Sequence, residues 1–138
     1  MRKTLVLASL ILAAGFGLTL AANEKPSEEY SGAMKSNAAT GQALKRDVSA
    51  KDYAAISKDA ATYKANFAKI EAFWAAKKVD DATMLSRAAA KAASDLETAA
   101  NAKNDEGIAA ASTALNATCG ACHMAHRERL PDMTFEIK

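Results

Sequence analysis

The residues best able to do chemistry lie near the end of the chain, in the run Cys119-Gly120-Ala121-Cys122-His123. Two thiols, two intervening residues and an adjacent imidazole form the C-x-x-C-H pattern by which haem is attached covalently to protein. That chemistry needs this spacing. Each thiol adds to one of two porphyrin vinyl groups, and the imidazole must then lie under the iron. On a helix, Cys119 and Cys122 share a face, and His123 follows one turn after Cys119, within reach of the same ring system. Gly120 and Ala121 are small, which leaves room for a flat macrocycle against the backbone.

Three other readings compete. A disulfide between Cys119 and Cys122 suits an exported protein but leaves His123 idle. A thioredoxin-like redox pair sits at a helix N-terminus in a βαβ setting; here the pair is near a helix C-terminus and no strand precedes it. A zinc site needs four ligands, usually with a second distant pair, and only His126 remains. The haem reading alone uses all three residues. No separate acid–base or nucleophile constellation is present, so an enzyme is not expected.

The elements that carry these residues read as helices. The 138-residue length suits one domain, and much of its 50% hydrophobic content is alanine, the strongest helix former. Pro26-Ser27-Glu28-Glu29 marks a helix start with Ser27 as N-cap. This first helix is expected to run to about Asp47, with Tyr30, Met34, Asn37, Gly41, Leu44 and Val48 inward. A second helix spans roughly Asp52 to Ala76, capped by Ser49 or Asp52. It has the strongest stripe: Ile56, Ala60, Tyr63, Phe67, Ile70 and Trp74. A third, entered through Asp80 as N-cap, spans roughly Asp81 to Ala102 with Leu85, Ala89, Ala92, Leu96 and Ala99 inward. The fourth begins near Asp105, aligns Ile108, Ser112, Leu115, Cys119 and Cys122, and ends before Pro131. Short loops make neighbours antiparallel, so the expected fold is an all-α, up-down-up-down four-helix bundle. The tail from Pro131 is expected to be irregular. Arg127-Glu128-Arg129 suits a solvated helix end better than a docking patch.

Met1-Arg2-Lys3, the apolar stretch to Leu20 and the small Ala21-Ala22 form a secretory leader over residues 1–22. The helical domain would then occupy residues 23–138, in the periplasm. Removing Arg2 and Lys3 from the 18 Lys and Arg leaves 16, equal to the 16 Asp and Glu. No basic excess remains to hold nucleic acid through its phosphates.

A helical, exported chain with Cys119-Gly120-Ala121-Cys122-His123-Met124-Ala125-His126-Arg127 on its last helix resembles the class II c-type cytochromes, the cytochrome c′ and c-556 group. The motif likeness covers the last helix; helix number and haem position extend it over the rest. It implies one haem c per chain inside the bundle, His123 as proximal ligand, and Arg127 near that ligand on the exposed side. It also implies that the first helix supplies the residue opposite the iron. Met34 stands near that position, and a thioether there raises the reduction potential. The function implied is single-electron transfer among periplasmic or membrane redox proteins. The alternative is an open, five-coordinate haem that binds NO or CO. Many such cytochromes form homodimers through their first two helices. This chain departs from the pattern in having His126 where Tyr or Phe is usual. It also lacks an evident first-helix Arg near Tyr30-Ser31-Gly32.

Overall fold

The computed structural model describes residues 23–138, so the leader expected over residues 1–22 lies outside the described residues. Four helices dominate: α1 (Glu28–Ala50), α2 (Tyr53–Lys77), α3 (Asp80–Asn101) and α4 (Asp105–His126). Short polar side chains start three of them. Ser27 accepts the Tyr30 N–H, Asp52 the Ala55 N–H and Asn104 the Gly107 N–H, each filling one orphan donor. α3 differs from expectation. Its N-cap is Val79, which makes no side-chain bond, and Asp80 is already helical. Asp80 and Asp81 instead set their charge against the positive end of the helix dipole.

The connections are two or three residues long, so each helix folds back along its predecessor. Tyr30 at the start of α1 meets Phe73 and Trp74 at the end of α2. Lys64 of α2 pairs with Glu97 of α3, and Asp81 of α3 with His126 of α4. Successive helices pack along their lengths, α2 on α3 most extensively, whereas α1 and α4 pack on each other sparsely at most.

α2 delivers its whole expected stripe to the core, from Ile56 through Trp74. The α3 face is built from small residues: Ala82, Ala89, Ala92, Ala93, Ala99 and Ala100 are buried around Leu96. Thr83 and Ser86 are buried there too, and their hydroxyls donate to the carbonyls of Val79 and Ala82 one turn back. Leu85, expected inward, is half-buried.

α1 is rotated from the face its sequence suggests. Ala33, Thr40 and Leu44 are buried, Tyr30, Met34, Asn37 and Gly41 lie at the edge, and Val48 is exposed. Polar bonds from α2 fix this rotation. The Asn66 amide donates to Ser36 Oγ at 2.9 Å and Asn37 Oδ1 at 2.8 Å, and the Tyr63 hydroxyl donates to the Asn37 carbonyl at 3.2 Å.

Two glycines of α1 distinguish helix propensity from packing. A Cβ on Gly32 would meet nothing within 4 Å, whereas one on Gly41 would lie 2.9 Å from the Tyr63 hydroxyl. Gly32→Ala is expected to raise stability by up to about 1 kcal/mol through helix propensity. At Gly41 the same gain is opposed by about 1–3 kcal/mol of overpacking, so Gly41→Ala should be neutral to destabilising. Urea denaturation of both variants checks the contrast.

Asp59 on α2 sets a pH dependence. Its Oδ2 is buried with no hydrogen-bond partner. Desolvation first, and then the charge of Asp47, push its carboxyl from 3.8 up to about 6. Below about pH 4 both folded and unfolded chains hold the proton, and the site costs nothing. Between about pH 4 and 6 the folded chain keeps a proton that the unfolded chain has released, so stability falls as pH rises through that window. Asp59→Asn should therefore raise the melting temperature near pH 7.5 and leave it unchanged near pH 3.5. An equal gain at both pH values would contradict this account.

The end of the chain is ordered, contrary to expectation. α4 stops at His126, well before Pro131, and β1 (Arg127–Arg129) pairs antiparallel with β2 (Phe135–Ile137). Glu24 adds a bridge on the outer side of β2, exchanging both backbone bonds with Ile137. Ile137 itself is buried. The two ends of the described chain thus close together over one end of the bundle. Among the described residues no helix is long and apolar enough to cross a membrane.

Candidate functional site

Cys119, Cys122, His123 and His126 lie on the last two turns of α4, all half-buried on the side turned toward the bundle. The spacing three, one and three puts them on adjacent helical positions, and Cys119 packs against the core cluster. Phenols approach from α1 and α2. Tyr30 lies beside Cys122 and Tyr63 beside Cys119, and burial first of all pushes both phenols up, that of Tyr63 to about 12. Met34 is half-buried against the same core. Tyr30 of α1 and Trp74 of α2 thus come together with Cys122 and His126 near the end of α4.

Both thiols are free, and burial holds both as neutral S–H. Cys119 is shifted up by desolvation, and Cys122 is pushed up to about 11 by desolvation and then by Cys119 and Asp81. Thiol–disulfide exchange and ionic metal binding both need a thiolate, which low-pKa cysteines supply at helix N-termini or beside cations. Here the environment does the reverse. A thioether carries no charge in any protonation state, so these surroundings suit sulfurs that end as thioethers. Gly120 faces open space, with nothing within 4 Å of the place a Cβ would take. The polypeptide itself therefore does not demand a glycine there.

Desolvation and then the Arg127 guanidinium shift the His123 pKa down. The imidazole is thus neutral at physiological pH and keeps a lone pair for a metal. The charge of Arg127 acts on both His123 and Tyr30, so this residue stands beside the candidate ligand. It lies in β1 and not on the helix, with its guanidinium 4.5 Å from the centre of the Phe135 ring.

The methionines separate clearly. Met84, Met124 and Met133 are 67%, 80% and 63% exposed, and Met34 is the one described methionine withdrawn from solvent. It is half-buried at the α1 edge, not deep in a continuous stripe.

Sequence reasoning missed the role of His126. Its side chain is 12% exposed, its Nε2 lies 2.8 Å from Asp81 Oδ2, and its ring centre is 5.0 Å from that of Trp74. The residue thus ties the turn bearing the C-x-x-C-H run to α2 and α3. Its place one turn after His123 was a signal for an inward position, though Asp81 as a partner depended on how α3 docks. Trp74 is also closer to the site than a generic core residue. Its ring meets Tyr30, Phe73 and His126, and its Nε1 is buried without an acceptor.

Among the described residues no three His, Cys, Asp or Glu side chains converge to hold a bare metal ion. An iron held by a porphyrin takes four nitrogens from the macrocycle and asks the protein for one or two axial ligands. Comparison with protein-family models, curated proteins and solved structures finds no match in any of the three.

Proposed function

We propose that this chain is an exported monohaem c-type cytochrome of the class II kind, carrying single electrons between redox partners in the periplasm. The observation that carries the reading is the combination on α4 of two neutral, half-buried, unlinked thiols and one neutral imidazole, beside a helix, α1, that packs on α4 sparsely at most. Cys119 and Cys122 would tether the haem, and His123 would ligate its iron. The haem, when bound, supplies reversible one-electron chemistry with no substrate transformed.

This chain's own side chains set the surroundings. The neutral His123 brings no positive charge of its own to the metal. Arg127 places one fixed cation beside it. Trp74 and Tyr63 are buried and Tyr30 packs edge-on against Trp74, so these rings are apolar neighbours of the site. The fourfold helical frame limits reorganisation when the charge at the site changes. Met34 would supply the second axial ligand from α1, because it is the one described methionine kept from solvent on that side.

Met34→Ala tests the axial assignment. The wild type is expected to show low-spin ferric and ferrous spectra, with a weak methionine-to-iron band in the near-infrared. The variant is expected to become high-spin and to bind CO in the ferrous state. A spectrum unchanged by the substitution would remove Met34 from the site. A wild type already high-spin and CO-reactive would replace the electron carrier with a gas-binding protein.

A further inference from the structure

The hairpin that follows α4 carries a surface that extends beyond the candidate site. In an antiparallel ladder, directly opposed residues share a face and neighbours along a strand alternate. The pairings Arg127↔Ile137 and Arg129↔Phe135 therefore put both arginines on one face, and Glu128↔Glu136 puts both glutamates on the other. Each guanidinium is held against an exposed apolar side chain. Arg127 stacks at 4.5 Å over Phe135, and an Arg129 Nη2 lies 2.9 Å from Met133 Sδ. Phe135 and Met133 are among the few large apolar side chains exposed in the described residues. Neither arginine forms an ion pair among the described residues. The nearest turn carboxylate, Asp132, is engaged by the Thr134 N–H and hydroxyl.

Two ordered, unpaired guanidiniums framing an apolar centre have the composition of an interface core, in which Arg, Met and aromatic residues are enriched. The patch runs directly into the candidate site, because Arg127 acts on His123. The net charge expected of the exported chain is zero, so attraction of an anionic partner must come from a local patch and not from the molecule as a whole.

We infer that Arg127, Arg129, Met133 and Phe135 form the docking surface for a redox protein that presents carboxylates around an apolar spot. This rests on the electron-carrier reading above. A partner protein fits better than an anionic membrane. Two cations are few for membrane attachment.

Gold coated with mixed carboxylate- and methyl-terminated thiols imitates such a partner surface; ammonium- and methyl-terminated thiols serve as its opposite. Adsorption of the matured protein is measured by surface plasmon resonance, and interfacial electron transfer by voltammetry on the same films. The wild type should adsorb at least tenfold more tightly on the carboxylate film, with the preference shrinking as salt rises. Arg129→Glu should lower that affinity about tenfold. Met133→Asn, which keeps a residue tolerant of the left-handed φ of 71° at this position, should lower it severalfold through its apolar contribution. Haem spectra should be the same in all three proteins. Equal adsorption on both films, variants that adsorb like the wild type, or tight binding to anionic lipid vesicles that survives Arg129→Glu would overturn the docking surface. Adsorption is read without the haem signal. A protein that adsorbs as described yet shows no redox couple in solution would therefore reject the electron-carrier reading and leave the patch standing.

Discussion

Replacing Cys119 and Cys122 together by serine should leave a protein from which every trace of haem is removed by acid and organic solvent. The wild type, in contrast, should keep its colour through the same treatment. The expectation follows from the bond type. A thioether survives denaturation, whereas an axial bond from His123 is lost as soon as the fold that positions it is lost. Each single variant should retain covalent haem in lower yield, because one remaining thiol can still form one link. The double variant should fold nearly as well as the wild-type polypeptide without haem. Both sulfurs are only half-buried and make no bond that holds helices together, so serine disturbs little packing. Retention of solvent-resistant haem by the double variant would show that the attachment lies elsewhere. Pigment analysis by pyridine haemochrome spectra, before and after extraction, makes the measurement.

Trp74→Ala should cause the largest loss of stability of any single core substitution. Trp74 is 1% exposed and heads the fully buried side chains by volume. Its ring packs against Tyr30 of α1, Phe73 of its own helix and His126 of α4. Truncating a tryptophan in such a place costs about 3–5 kcal/mol, a large share of the roughly 5–15 kcal/mol that holds a domain folded. The melting temperature should fall on the order of 10–20 °C. Trp74→Phe should cost far less, within about 1.5 kcal/mol. It keeps most of the apolar volume and removes an N–H that is buried without an acceptor. Thermal denaturation followed by circular dichroism separates the two. A Phe variant as unstable as the Ala variant would mean that the indole N–H has a partner in solution.

These effects show where the sequence could and could not be read. The face of α2 was legible because its large apolar residues step four and three without interruption, and all of Ile56, Ala60, Tyr63, Phe67, Ile70 and Trp74 are buried. α1 was readable as a helix but not in its phase. Its only strongly apolar inward residue is Leu44, and the rotation is set by polar bonds from Asn66 and Tyr63, partners on another helix. The face of α3 was legible too, since Ala89, Ala92, Leu96 and Ala99 are buried as expected, but its width was not. Alanine is acceptable on any side of a helix, so a face built from alanines, Thr83 and Ser86 leaves little contrast in the sequence. The tail was unreadable for another reason. A three-residue strand carries no detectable alternation, and β2 is anchored by Glu24, more than a hundred positions earlier in the chain.

The grouping of the candidate residues was more legible than the packing. Cys119, Cys122 and His123 are close in sequence, and a helix brings them together whatever the rest of the fold does. Met34 and Arg127 are different. Their value depends on how α1 is rotated and on where the chain leaves α4, and both are tertiary outcomes. Arg127 reaches the neighbourhood of His123 from a strand stacked on Phe135, an arrangement with no local sequence signal.

The intact mass of the wild-type protein, exported alongside haem-maturation machinery and measured after full denaturation, bears most directly on the proposal. The account predicts the mass of the processed polypeptide plus one haem, with fragment ions placing the addition on the peptide containing Cys119 and Cys122. A mass equal to the polypeptide alone, or lower by the two hydrogens of a disulfide, would contradict it.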